Sequence, residues 1–189
     1  AYKAIEGATV FCKLRGNPYV ELQHWLAQIL NTQDSDLHRI VQIAKDMLRH
    51  PVELLAGVRE AVEAIASAYP VVLITKGDLF HQEAKVRDSG MADLFRRIEI
   101  VSEKDVRTYA RLLDEFAIPA DRFVMVGNSL RSDIVPVLRL GGWGVHVPYH
   151  LTWEHENDTD DVAGHPRLRQ VATAAGLPEV VRGIDAATM

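Results

Sequence analysis

The chain has 189 residues, of which 48% are hydrophobic, and a formal net charge of −5. This length and composition suit one domain with a sizeable core, or one domain with a small insertion. The negative charge argues against a protein that binds nucleic acid or a membrane surface, because such proteins usually carry a basic patch. Cys12 is the single cysteine, and no apolar run approaches the ~18 residues of a membrane helix. With no signal-peptide pattern at the start either, we expect a cytoplasmic protein.

The first fifty residues predict a possible strand and two helices. A short apolar run at Ala8–Leu14 ends in a turn signal and is compatible with a strand. Apolar residues then follow helical spacing in Leu22–Leu30 and again in Leu37–Leu48, with a short polar turn between them. The pair resembles a helical hairpin, which ends before Pro51.

From Gly57 onward, helical patterns alternate with short, continuous apolar runs, the mark of buried parallel strands. The predicted strands are Val71–Ile74, Ile98–Val101, Phe123–Val126 and Gly144–Val147, followed by a possible edge strand at Leu168–Ala175 and a terminal helix at Leu177–Ile184. This alternation predicts an α/β fold, a three-layer doubly wound parallel sheet.

Two helix starts are also predicted. Asp78 is expected to be the N-cap of the helix that follows the first of these strands, rather than a catalytic acid. Ser102 is expected to cap the next helix, with Asp105 near the position of a capping-box acid.

The stretch of residues 123–133 combines a buried strand, a break at Gly127 and a polar turn before the next helix. The polar side chains of that turn are Asn128, Ser129, Ser132 and Asp133. In open α/β sheets ligands bind at the carboxyl ends of the strands, and an Asn with an Asp five residues later can hold a hard cation through oxygen. The alternative is that Asn128 and Ser129 only form the turn and cap the helix.

Chemistry-bearing residues follow three of the predicted strands. Thr75 follows the first strand, Lys104 lies just past the second, and Asn128 and Asp133 follow the third. Parallel strands place all of them at one edge of the sheet. A hydroxyl and backbone N–H groups there can donate to phosphate oxygens, a lysine can stabilise the negative charge of a transferring group, and the oxygens can hold Mg²⁺.

Three segments together resemble the second, third and fourth motifs of the haloacid dehalogenase-like (HAD) hydrolase superfamily. They are Val71–Asp78, Ile100–Asp105 and Val126–Asp133, and they occur in the family's order and at strand ends. The resemblance extends from about Pro51 to the tail at Tyr149–Glu156. It implies a HAD-like, Rossmannoid core and Mg²⁺-dependent hydrolysis of a small phosphorylated metabolite.

The resemblance also implies a role for each matching residue. Thr75 would bind the phosphate, helped by the backbone at Lys76, and Lys104 would pair with the phosphate and with a nucleophilic aspartate. Asn128 stands where many relatives have a metal-binding Asp, so it would ligate Mg²⁺ through its amide oxygen, and weakly. Asp133 would ligate the ion directly or through water, or would orient Lys104. Residues 20–50 would form a small helical cap and residues 51–189 the core.

The first motif of the family, Asp-x-Asp, does not follow any predicted strand. Either the chain begins downstream of that motif, with residues 1–19 belonging to the cap, or residues 9–17 form the central strand with a degenerate motif. In the second case Lys13 and Arg15 replace the two carboxylates. Under either reading we expect slow or absent turnover. The alternative function is a non-catalytic HAD-fold protein that binds a phosphate-bearing ligand or a partner.

Overall fold

The computed structural model describes residues 6–10, 25, 27–28, 36–48, 51–149, 162 and 164–188. The chain divides into two compact units, Ala1–Pro51 and Val52–Met189, and each is described by itself. In the described part of the chain, no helix has the length and apolar character needed to cross a bilayer.

The first unit is helical where it is described. Helix α1 spans Asp36–Leu48, and residues 6–10 are also helical. Ala8 is fully buried. A Cβ on Gly7 would lie 2.8 Å from Oε1 of Gln28, so the helix packs closely against the Gln28 side chain at Gly7. The strand predicted at Ala8–Leu14 is therefore wrong over residues 8–10. Residues 11–17, with Lys13 and Arg15, lie outside the described residues.

The second unit carries the α/β pattern. Its strands are β1 (Val72–Lys76), β2 (Arg97–Val101), β3 (Val124–Gly127), β4 (Trp143–His146) and β5 (Leu168–Gln170). Its helices are α2 (Val58–Ala66), α3 (Leu79–Asp88), α4 (Val106–Phe116), α5 (Val135–Arg139) and α6 (Leu177–Thr188). Short 3₁₀ turns at Ala92–Leu94, Ala120–Arg122 and Ala174–Gly176 complete the series, and a π-helical turn at Leu130–Ile134 precedes α5.

All observed strand pairs are parallel. Strand β1 pairs with β2, with Thr75 opposite Ile100, and β4 lies between β3 and β5, with Gly127 opposite His146. Within the described residues, no strand pairs with the second edge of β1 or with the second edge of β3. The described strands thus form two parallel sheets, β1–β2 and β3–β4–β5, rather than one continuous sheet. The parallel pairing is confirmed, and the predicted edge strand is confirmed over Leu168–Gln170.

Successive residues of a strand point to opposite sides, and apolar clusters that include helices lie on both sides of β3. Met125 of β3 belongs to a core cluster that also joins β1, β2, α4 and α5; its buried members are Ile74, Val101, Tyr109, Leu112, Met125 and Val137. The neighbours of Met125 in the strand, Val124 and Val126, pack on the other side against a cluster built with α2 and α6. This layering confirms the predicted three-layer class.

The helix starts correct one prediction and confirm another. The Asp78 carboxylate accepts a hydrogen bond from the backbone N–H of His81 at 2.9 Å, so Asp78 is the predicted N-cap. The predicted Ser102 cap is wrong, because α4 begins later and Asp105 is its N-cap. The Asp105 carboxylate accepts from the backbone N–H of Thr108 at 2.8 Å, which satisfies one of the unpaired donors of the first turn.

Candidate functional site

The loop after β3 is folded back on itself by a wide helical turn. The backbone N–H groups of Asp133 and Ile134 both donate to the carbonyl of Ser129, at 2.9 and 3.3 Å, and the Ser129 hydroxyl accepts from the backbone N–H of Ser132 at 2.9 Å. The π-helical turn that results is of a kind found frequently at functional sites. It returns the Asp133 side chain toward the end of β3.

Both oxygens of the Asp133 carboxylate are engaged. Oδ1 accepts from Lys104 Nζ at 2.7 Å, and Oδ2 accepts from the backbone N–H of Ser129 at 3.1 Å. Asp133 is only 4% exposed. A Cβ on Gly127 would lie 2.2 Å from Oδ2, so only a glycine at the end of β3 leaves room for this carboxylate.

Lys104 and Asp133 form a mostly buried ion pair, with their side chains 13% and 6% exposed. Such charge-assisted bonds are short and strong, while loss of one partner leaves a charge uncompensated away from water. Lys104 follows β2 and Asp133 follows β3, so the pair also shows that the carboxyl ends of these two strands lie at the same edge.

Tyr109 supports the same turn from helix α4. It is fully buried, and its hydroxyl donates to the carbonyl of Ser132 at 3.2 Å. Burial, and secondarily the negative charge of Asp133, raises the pKa of the Tyr109 phenol well above its usual range. The phenol therefore stays a neutral hydrogen-bond donor beside the ion pair.

His146 supports the turn from strand β4. The register places it opposite Gly127, it is 8% exposed, and its Nε2 lies 3.1 Å from the carbonyl oxygen of Asn128. Since a carbonyl oxygen can only accept, Nε2 carries a proton and donates. His146 thus holds the main chain of Asn128, the predicted metal ligand.

The turn after β1 has its own set of contacts. The hydroxyl of Thr75 donates to Oε1 of Gln82 at 3.1 Å. Lys76 Nζ lies 3.7 Å from Oε2 of Glu103, a solvent-exposed pair of the kind that contributes little to stability. Of the predicted site residues, the structure thus brings Lys104 and Asp133 into direct contact. The hydrogen bond of the Thr75 side chain goes instead to Gln82 of helix α3.

Gln82, Tyr109 and His146 were not among the site residues suggested by the sequence. Gln82 could have been identified from the sequence. It stands four residues after the Asp78 N-cap and therefore lies in the first turn of α3, above the end of β1. Tyr109 and His146 leave none, since each follows ordinary apolar periodicity in its element and only the packing reveals its polar contact.

The donor chemistry available to a metal ion is limited. Asn128 and Asp133 offer oxygens, and within the described ranges there is no group of three or more His, Cys, Asp and Glu side chains that could hold an ion together. The protein is thus a doubly wound parallel α/β protein with a lysine–aspartate pair and a hydroxyl at the carboxyl ends of its strands.

Comparison with solved structures identifies the family. A haloacid dehalogenase-like family hydrolase from Xanthomonas campestris is 49% identical; the match covers 98% of this chain and 68% of that one, with a TM-score of 0.71. The chain belongs to the haloacid dehalogenase-like hydrolase family. No family model matches the sequence.

Two more distant structures share the fold. A HAD phosphatase from Thermococcus onnurineus is 15% identical with a TM-score of 0.59, over 95% of this chain and 88% of that one. A HAD-hydrolase from Bacillus subtilis bound to magnesium is 16% identical with a TM-score of 0.60, over 95% of this chain and 80% of that one.

Part of the chain also resembles curated proteins of another kind. The AAA+ ATPase ClpV1 of Pseudomonas aeruginosa is 54% identical over 81 residues, which is 33% of this chain and 9% of the ATPase. The chaperone protein ClpB of Yersinia enterocolitica is 61% identical over 41 residues, 22% of this chain and 5% of the chaperone. This chain therefore matches less than a tenth of either protein.

Proposed function

We propose that this protein binds the phosphoryl group of a small phosphorylated metabolite at the carboxyl ends of β1, β2 and β3, and that Mg²⁺-dependent phosphomonoester hydrolysis is the reaction of this site. The observation that carries the proposal is the buried pair of Lys104 and Asp133. An ammonium group has three donors, and the bond to Asp133 uses one of them. A cation fixed in a water-poor site is suited to stabilise a developing negative charge.

Asn128 and Asp133 are the residues that would hold Mg²⁺ in this proposal. Both are hard oxygen donors, and Mg²⁺ in proteins commonly takes one or two carboxylates together with waters and substrate oxygens. The fit is that of a weak site, because the one carboxylate is already paired with Lys104. When bound, the ion would neutralise charge on the phosphoryl oxygens.

The proposed reaction needs a nucleophile at the carboxyl ends of the strands. The described acids beside the strand ends are engaged in other contacts: Asp78 caps α3, Glu103 pairs with Lys76 and Asp133 pairs with Lys104. Attack on phosphorus in this family needs an aspartate at the end of a central strand, as the resemblance implies. The second edges of β1 and β3 are where such a strand would pair, since a sheet cannot leave its central backbone groups without partners.

These contacts also motivate the second candidate function. With its observed acids engaged, the site can hold a phosphate-bearing ligand without cleaving it, so we keep a non-catalytic phosphate-binding or partner-binding protein as the alternative. Dehalogenation of a 2-haloacid would need the same missing aspartate, and nothing in the site favours it.

One set of measurements separates the candidates. The full chain is assayed with a generic aryl phosphate, with and without Mg²⁺, and inorganic phosphate binding is measured by calorimetry. Mg²⁺-dependent turnover that disappears in Asp133→Ala supports the hydrolase, whereas phosphate binding without turnover supports the binding protein. A chain that neither binds phosphate nor cleaves the ester contradicts the hydrolase and the phosphate-binding protein and leaves the partner-binding protein. Full activity of Asp133→Ala contradicts the metal assignment.

A further inference from the structure

Gln82, the residue whose side chain bonds to Thr75, has no role in the site as proposed above. Gln82 lies in the first turn of α3 and is partly buried, and its Oε1 accepts the hydrogen bond of the Thr75 hydroxyl at 3.1 Å. The main chain secures this position, because the backbone N–H of Gln82 donates to the carbonyl of the N-cap residue Asp78 at 2.9 Å.

The same side chain also covers the turn that follows Thr75. Gly77 has a φ of +145°, which side chains rarely adopt, and a Cβ there would lie 2.8 Å from Nε2 of Gln82 and 3.3 Å from its Cγ. One amide group thus bonds the hydroxyl at the end of β1 and fills the space that a side chain at residue 77 of the predicted phosphate-binding turn would occupy. The absence of a side chain at residue 77 is what lets Gln82 lie there.

The chemistry of the hydroxyl sets a constraint on any phosphate at this turn. A threonine hydroxyl has one proton to donate and two lone pairs to accept. As the structure stands, that proton goes to Gln82, so a phosphate oxygen can receive it only if the pairing changes. A half-turn of the amide achieves this, because Nε2 then donates to Oγ1 while the hydroxyl proton becomes free for the phosphate.

We propose that Gln82 is the positioning residue of Thr75, a role that rests on the proposed phosphate site. In the empty site it holds the hydroxyl through Oε1, and with phosphate bound it donates through Nε2, forming a chain from amide to hydroxyl to phosphate oxygen. Linked hydrogen bonds of this kind polarise one another. Glutamine suits both states, because its amide carries a donor and an acceptor of nearly equal size.

The test measures binding of inorganic phosphate to the full chain and five variants by calorimetry. Gln82→Ala is expected to weaken binding about threefold to tenfold, the range of one hydrogen bond. Gln82→Glu keeps the shape but can only accept, so it should weaken binding further. In the Thr75→Val background, Gln82→Ala should change binding by less than about twofold if it acts through the hydroxyl. The control is Glu83→Gln, an exposed neighbour on the same helix, which should match the unmodified chain.

A second measurement keeps this inference separate from the proposed function. The methyl group of Thr75 reports the rotamer of its side chain by NMR without any ligand, and Gln82→Ala should shift it from one rotamer to an average of several. A methyl group unaffected by Gln82→Ala overturns the positioning role, and so does equal weakening of phosphate binding with and without the Thr75 hydroxyl. If the methyl responds but the unmodified chain binds no phosphate, the positioning of Thr75 is supported and the phosphate site is wrong.

Discussion

The ion pair of Lys104 and Asp133 gives the most direct test of the site geometry. Asp133→Asn keeps the shape of the side chain but removes the charge, and Lys104→Met removes the ammonium at similar length. Each single variant leaves the other charge largely buried, since the side chains are 13% and 6% exposed. We expect each to lower the free energy of unfolding by about 3 kcal/mol, near the low end for a broken buried pair because Lys104 reaches some solvent.

The assay is urea denaturation at neutral pH, with the double variant completing a mutant cycle. The double variant leaves neither charge unpaired, so its loss should fall short of the sum of the single losses by about 2 kcal/mol. Glu115→Gln serves as the control, because it breaks the half-exposed pair with Arg111, and exposed helix pairs contribute about 0.3–0.5 kcal/mol. Additive single losses, or a loss in Asp133→Asn no greater than in the control, would refute a buried pair.

Three further predictions follow from neighbouring contacts. Gly127→Ala should destabilise by about 2 kcal/mol or more, because the new Cβ would lie 2.2 Å from the Asp133 carboxylate, whereas Gly183→Ala in α6, where the Cβ meets nothing within 4 Å, should stabilise by about 0.5–1 kcal/mol. Asn128→Asp should tighten Mg²⁺ binding in calorimetry by about tenfold, since it adds one negative charge to the oxygens; unchanged affinity would remove Asn128 from the metal site. The hydrogen bond from the α4 backbone lowers the pKa of the Asp105 carboxyl. Its stabilising contribution is therefore complete above about pH 4, the usual aspartate pKa, and is lost as the pH falls through the lower folded value, so thermal midpoints of the native chain and Asp105→Ala should converge in acid.

Much of the second unit could be read from the sequence because its signals are local. Four apolar residues before Gly127 predicted β3, and the observed strand is Val124–Gly127. The Asp78 cap was readable for the same reason, since an N-cap bonds within its own turn. The prediction of Ser102 as the N-cap was wrong because both serine and aspartate cap helices. The choice between Ser102 and Asp105 depends on where the chain leaves β2. That exit is set by packing, which no local pattern reports.

The contacts that define the site, in contrast, join residues that are far apart in the sequence. Lys104 and Asp133 are 29 residues apart in the chain, and Asn128 and His146 are 18 apart. The strand pattern predicts that their strand ends share an edge, but not which side chains touch there; the contact of Asp133 with Lys104 was suggested by the family resemblance alone, as one of its alternatives. The functional roles of Thr75, Lys76, Lys104, Asn128 and Asp133 therefore stay predictions, and so does the cap role of residues 20–50.

The second edges of β1 and β3, with which no described strand pairs, bear on the question of activity. Ile74 of β1 and Met125 of β3 share one core cluster, although no described strand bonds to both of their strands. A parallel strand paired to both edges would place its carboxyl end between Thr75 and the loop that carries Asp133. An aspartate supplied there would stand beside Lys104 at the same edge. The strand edges with which no described strand pairs and the nucleophile that the proposed hydrolysis requires thus point to the same position.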